Sequence, residues 1–127
     1  MQDPRDFAVL VVEDDPLLRF DMVDLVEDAG FVAHEARNAD EAIEEMNRNP
    51  AIRVVLTDIE MPGSMDGLKL AFLVRKRWPP VVILVISGKR NVSQTDLPED
   101  VLLLSKPYSP AMVVRTLRKA AAANPPG

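Results

Sequence analysis

The sequence predicts an α/β domain built as a doubly wound, five-stranded parallel sheet. Three observations carry that prediction. Short, solid apolar runs rich in β-branched residues occur at residues 7–12, 54–56 and 81–86. They are too short to span a membrane and have the composition of strands buried on both faces. Between them the apolar period changes to that of a helix. Strand and helix also alternate along the chain, the order that gives a parallel sheet with helices on both faces. At 127 residues the chain has the length of one domain, enough to bury about two thirds of its unfolded surface.

Each element follows from local signals. After the strand at 7–12, Leu18, Met22, Leu25, Val26 and Ala29 share one face of a helix near residues 15–29, and Gly30 stops it. A weaker strand spans 31–36. Asn38 followed by Glu41 resembles a capping box, opening a helix whose inward face is Ala39, Ala42, Ile43 and Met46 before Asn49-Pro50. The strand at 54–56 leads to a third helix marked by Leu70, Ala71, Val74 and Trp78 and closed by Pro79-Pro80. After the strand at 81–86, residues 89–100 are polar and contain Pro98, so a turn or two of helix at most fits there. A last strand at 101–104 precedes Ser109-Pro110, which opens a helix with Val113, Val114, Leu117 and Ala121 inward. The expected organisation is one domain over 1–127, with a core at about 7–121 and a frayed tail at 122–127.

Composition narrows the function. With no cysteine and a single histidine, His34, the chain lacks a disulfide frame, a thiol nucleophile and a cysteine-type zinc site. The net charge of −5 argues against a nucleic-acid partner, but it conceals an asymmetry. Residues 1–63 hold sixteen acids and five bases, whereas residues 64–127 hold four acids and ten bases. The amino terminus, MQDPRDF, does not resemble a secretory signal, and no apolar run reaches membrane-spanning length. The expectation is a cytoplasmic protein.

In a parallel sheet of this kind, ligands bind outside the carboxyl ends of the strands. Those ends carry Glu13-Asp14-Asp15, Asp58, Ser87-Gly88 and Lys106-Pro107. Clustered carboxylates repel one another and take up protons unless a cation intervenes. Hard oxygen ligands suit Mg²⁺ or Mn²⁺. Lys106 brings an amine to the same end of the sheet. Asp15 reads as a helix cap or a solvent-facing acid rather than a metal ligand, and Asp66 before Gly67 as a turn and cap. His34 reads as structural and Tyr108 as packing.

Four fragments together resemble the receiver domains of two-component response regulators, over about residues 7–121. They are Glu13-Asp14-Asp15, Thr57-Asp58-Ile59-Glu60-Met61-Pro62 with Met65-Asp66-Gly67, Ile86-Ser87-Gly88, and Ser105-Lys106-Pro107-Tyr108. The resemblance implies a flavodoxin-like (β/α)5 fold with strand order 2-1-3-4-5, here with a shortened fourth helix. It implies that Asp58 accepts a phosphoryl group from a phosphohistidine. It further implies that Asp14, Asp58 and the backbone carbonyl of Glu60 hold Mg²⁺ (or Mn²⁺), with Glu13 acting through a bound water. Ser87 and Lys106 would each bind a phosphoryl oxygen, and the Lys106-Pro107 bond would be cis. The implied partners are a histidine kinase or histidine phosphotransfer protein and a downstream protein target. Nucleic acid and membrane are not expected as direct partners, a homodimer is compatible with the fold, and no separate substrate turnover is expected.

The sequence departs from the common receiver pattern in places. Leu103 stands where an aromatic residue often reports switching. The loop from Met61 to Gly67 is one residue longer than its commonest form, and the stretch from Ser87 to Lys106 is shorter. Glu60 and Lys89 lie where family members tune hydrolysis of the aspartyl phosphate. Leu17 and Phe20 fall off the inward face of the first helix and would suit docking of a kinase or phosphotransfer helix. The expected output is contact with another protein, because the chain ends soon after its last helix. Two other readings stay open: a Mg²⁺-dependent phosphatase with an aspartyl nucleophile, and a pseudo-receiver that acts as a binding module without phosphorylation.

Overall fold

A computed structural model of the chain describes residues 7–58, 67–79, 81–87, 101–105 and 109–123. Five parallel strands, β1 (Ala8–Val12), β2 (Val32–Ala36), β3 (Ile52–Asp58), β4 (Val82–Ser87) and β5 (Val101–Ser105), form one sheet in the order β2-β1-β3-β4-β5. Four helices are described: α1 (Pro16–Asp28), α2 (Ala39–Arg48), α3 (Gly67–Arg77) and α4 (Pro110–Ala123). The predicted architecture and strand order are therefore observed. The shortened helix expected over 89–100 lies outside the described residues.

The sheet separates two apolar cores. On one face, Ala8, Leu10 and Val12 of β1 pack with Ala42 and Met46 of α2 and Leu70, Ala71 and Val74 of α3. On the other, Phe7, Val9 and Val11 pack with Met22 and Val26 of α1 and Val113, Leu117 and Ala120 of α4. Adjacent residues of β1 thus serve opposite cores, which is why this strand is apolar throughout. β2, at the sheet edge, is only partly covered, and its sequence is correspondingly mixed.

Two inward assignments from periodicity do not hold. Leu18 is 44% exposed, because α1 meets the core through Met22 and Val26. Val114 lies with Arg115 and Arg118 along the outer side of α4, while Ala120 takes a buried place. A helix resting on a sheet buries a stripe narrower than its full complement of apolar residues.

The helix ends follow the sequence closely. Asp15 caps α1, its carboxylate accepting from Leu17 N–H at 2.9 Å and Leu18 N–H at 3.3 Å. Gly30 follows the helix with φ +95°, the left-handed region that favours glycine. Asn38 caps α2 by accepting from Glu41 N–H at 2.9 Å. The reciprocal half of the expected capping box is displaced by one residue: the Glu41 carboxylate accepts from Arg37 N–H at 2.9 Å and also pairs with the Arg37 guanidinium. That guanidinium holds the Glu41 carboxyl below its ordinary range.

β3 carries one irregularity. Its register with β1 passes from Ala8↔Ile52 to Val9↔Val54, leaving Arg53 without a partner on β1. This is a β-bulge, and it resets the alternation of side chains. Ile52 and Val55 consequently face the same core although they are three residues apart.

Candidate functional site

The carboxyl ends of the central strands gather the acidic residues named from sequence. Beyond β1, Glu13 still donates its N–H to the carbonyl of Ala36 at 3.1 Å, extending the ladder toward β2 by one step. Its side chain is drawn inside, so that the residue is only 2% exposed. Asp14 and Asp15 are exposed. Asp15 N–H donates to Glu13 Oε1 at 3.2 Å, so the residue that caps α1 also steadies the buried acid.

Asp58 is the last residue of β3 and is 4% exposed. The pairing of Val12 with Thr57 brings the next residues, Glu13 and Asp58, side by side across the two central strands. The Asp58 and Asp14 side chains beside the Glu13 carboxyl both favour its protonated form. Burial, and then the neighbouring Asp58 charge, push Glu13 up from 4.5 to about 7, against the lowering effect of Asp15 N–H. Glu13, set beside Asp58, thus keeps its proton toward neutrality.

This donor set fits a divalent cation. Carboxylates crowded until one takes up a proton are the hard, oxygen-only ligands that Mg²⁺ accepts, and a cation relieves the repulsion that raises Glu13. Among the described residues, no group of three acidic or histidine side chains is arranged to hold a metal ion unaided. Mg²⁺ characteristically uses one or two carboxylates and completes its shell with other oxygens.

Ser87 ends β4 and is 2% exposed. It follows Ile86, the register partner of Asp58, and is itself paired with Ser105 of β5. The hydroxyl is thus one step along the neighbouring strand from Asp58, and β5 delivers the residue before Lys106 to the same end of the sheet. Lys106, Glu60, Lys89, Pro107 and Tyr108 lie outside the described residues, as does the loop over 61–66. Leu103 is half-buried against the core shared with α2 and α3. His34 has Nδ1 3.9 Å from the Glu45 carboxylate, far from the acids.

Nothing in the local pattern announces Arg19. Its Nη1 donates to the Glu13 carbonyl at 2.9 Å, and its Nε donates to Glu35 on β2 at 3.1 Å. One side chain therefore ties α1, the acidic turn and the sheet edge together. An arginine in the first turns of a helix with an apolar face reads as solvated, and only the fold brings Glu35 within its reach.

The response regulator receiver domain pattern matches residues 9–118. The chain belongs to the response regulator receiver family. This receiver is 33% identical over 114 residues to the response regulator receiver protein CpdR of Brucella abortus, covering 87% of this chain and 93% of CpdR. It is 35% identical over 86 residues to the nitrogen assimilation regulatory protein NtrX of Azorhizobium caulinodans, covering 66% of this chain but 18% of NtrX. A receiver protein from Sinorhizobium medicae has a TM-score of 0.84 to this receiver at 27% identity, covering 93% of this chain and 96% of that one. The receiver is accordingly a module of two-component signalling. Among the described residues, no helix is long and apolar enough to cross a membrane.

Proposed function

We propose that this receiver accepts a phosphoryl group on Asp58 and signals through phosphorylation-dependent contact with another protein. The observation that carries the reading is the burial of Asp58 at the carboxyl end of β3, beside Glu13. In the transfer, an Asp58 carboxylate oxygen forms a bond to phosphorus as the bond from phosphorus to the donor histidine nitrogen breaks, and the donor imidazole, protonated on its other ring nitrogen, leaves neutral with the electron pair of the broken bond. Asp14, Asp58 and the Glu60 carbonyl would hold Mg²⁺ (or Mn²⁺), with Glu13 acting through water. When bound, the cation would supply positive charge to the phosphoryl oxygens. Lys106 supplies the second positive charge, and the Ser87 hydroxyl donates to a phosphoryl oxygen.

The donor is a histidine kinase or histidine phosphotransfer protein, and the site of action is the cytoplasm. The accepting group turns over with the signal rather than with a substrate, so the domain acts as a switch. A phosphoryl group adds charge and acceptor oxygens beside Ser87, and the end of β4 is the element it biases.

The test is incubation of the chain with acetyl phosphate and Mg²⁺, followed by intact-mass measurement. A single added phosphoryl group that vanishes in Asp58→Asn is expected. No adduct would leave a binding module without phosphorylation, and steady turnover of a phosphate ester would point to a phosphatase.

A further inference from the structure

At the opposite end of β3, roughly 20 Å from Asp58 along the strand, the amino ends of β3 and β4 meet the carboxyl ends of α2 and α3 around a cavity of about 360 Å³. That volume exceeds the ~300 Å³ at which small-molecule sites begin. Met46, Ile52 and Val81, all buried, line it with apolar surface. The half-buried indole of Trp78 adds an aromatic face, and Arg53 and Arg77 add two guanidinium groups. None of the described lining residues is acidic. Among the described residues, neither arginine belongs to an ion pair.

The placement of Arg53 needs an explanation. It is the one partly exposed residue in an otherwise buried central strand, and it is the residue that the β-bulge leaves without a partner on β1. The bulge sets Ile52 and Arg53, adjacent in sequence, against the same cavity, which regular alternation would prevent. Bulges of this kind re-aim side chains near binding sites. The partial negative charge at helix carboxyl ends accounts for Arg48 on α2 and for Arg75, Lys76 and Arg77 on α3. It does not account for a cation carried by a strand.

We propose that this cavity binds a small, flat aromatic molecule carrying an anionic group, its ring against Trp78 and its anion between Arg53 and Arg77. Indole faces take planar rings, and guanidinium groups take carboxylates or phosphates through paired hydrogen bonds. The apolar floor suits the ring and the paired arginines suit the charge. This site is separate from Asp58 and does not depend on its phosphorylation.

The chain has a single tryptophan, so indole fluorescence reads this cavity directly. Titration of the full chain with AMP and with nicotinate, against adenosine, nicotinamide and inorganic phosphate as controls, tests the proposal. A saturable change with either aromatic anion, and not with its neutral counterpart or with phosphate, is expected. AMP alone would assign a nucleotide source, and nicotinate alone a carboxylate. Binding should weaken about tenfold or more in Arg53→Gln and in Arg77→Gln, the loss of one charge-assisted hydrogen bond. If Arg53→Gln melts early, Arg77→Gln, at an exposed helix end, decides alone. Equal response to the neutral analogues, indifference to both substitutions, or no saturation with either anion would overturn the proposal.

Discussion

Arg19 of α1 donates to the backbone carbonyl of Glu13 at 2.9 Å, joining the first helix to the turn that presents the acids. Its side chain is 15% exposed, and its other contact, to Glu35, reaches the edge strand. Replacing Arg19 with alanine removes two charge-assisted hydrogen bonds and loosens the turn holding Glu13 and Asp14. Stability should fall by about 1–3 kcal/mol, and phosphorylation by acetyl phosphate should slow severalfold. Thermal melting and the initial rate of adduct formation check both. An unchanged rate in a folded variant would show that the acidic turn holds its shape without Arg19.

The raised carboxyl of Glu13 sets a pH dependence with a definite sign. Between pH 4.5 and about 7, the folded chain binds more protons at this position than the unfolded chain does. Stability from Glu13 is therefore full below the lower value and declines as pH rises through the upper one, by up to about 3 kcal/mol. Melting temperatures at several pH values, without divalent cation, should show this decline, and Glu13→Gln should flatten it. Added Mg²⁺ should oppose the decline, because it favours the ionised acids, and should bind more tightly as pH rises.

Leu17 and Phe20 are 78% and 68% exposed on α1, as their places on the helix predicted. A pair of large apolar side chains in water beside the acidic turn suits a docking helix from the phosphoryl donor. Changing both to serine should slow transfer from the cognate phosphohistidine protein roughly tenfold, while the rate with acetyl phosphate stays the same. Equal slowing with both donors would assign the pair to folding instead.

Gly30, at φ +95°, has nothing within 4 Å of the place a Cβ would occupy. The effect of Gly30→Ala is therefore confined to backbone strain. A loss of about 1 kcal/mol with an unchanged phosphorylation rate is expected, measured by urea unfolding and by intact mass.

The strands and helix limits were legible because each had a local cause. β1 and the central runs of β3 and β4, residues 54–56 and 82–86, are apolar because both their faces are covered, and Asp15, Gly30 and Asn38 sit where caps are required. The acids at the strand ends were legible from the topology alone. Leu18 and Val114 were not, because apolar periodicity records which residues share a face but not how much of that face the sheet covers. The bulge at Arg53 carries no glycine or proline to announce it. Arg19 and Glu35 are sixteen residues apart and meet only when α1 lies across the end of β2. Periodicity is a property of one segment, whereas these features arise where two segments meet.

The neighbouring placement of β1 and β3 has a further meaning for the inheritance of this module. The separation of Glu13 and Asp58 is set by the spacing of two hydrogen-bonded strands, about 4.8 Å, and so by main chain common to every sequence that adopts the sheet. Substitutions on the outer surfaces of the helices leave that spacing unchanged. Mutation can thus redirect which proteins the domain meets while the two buried acids stay in place, and a lineage of such domains can diversify its wiring without rebuilding this end of the sheet.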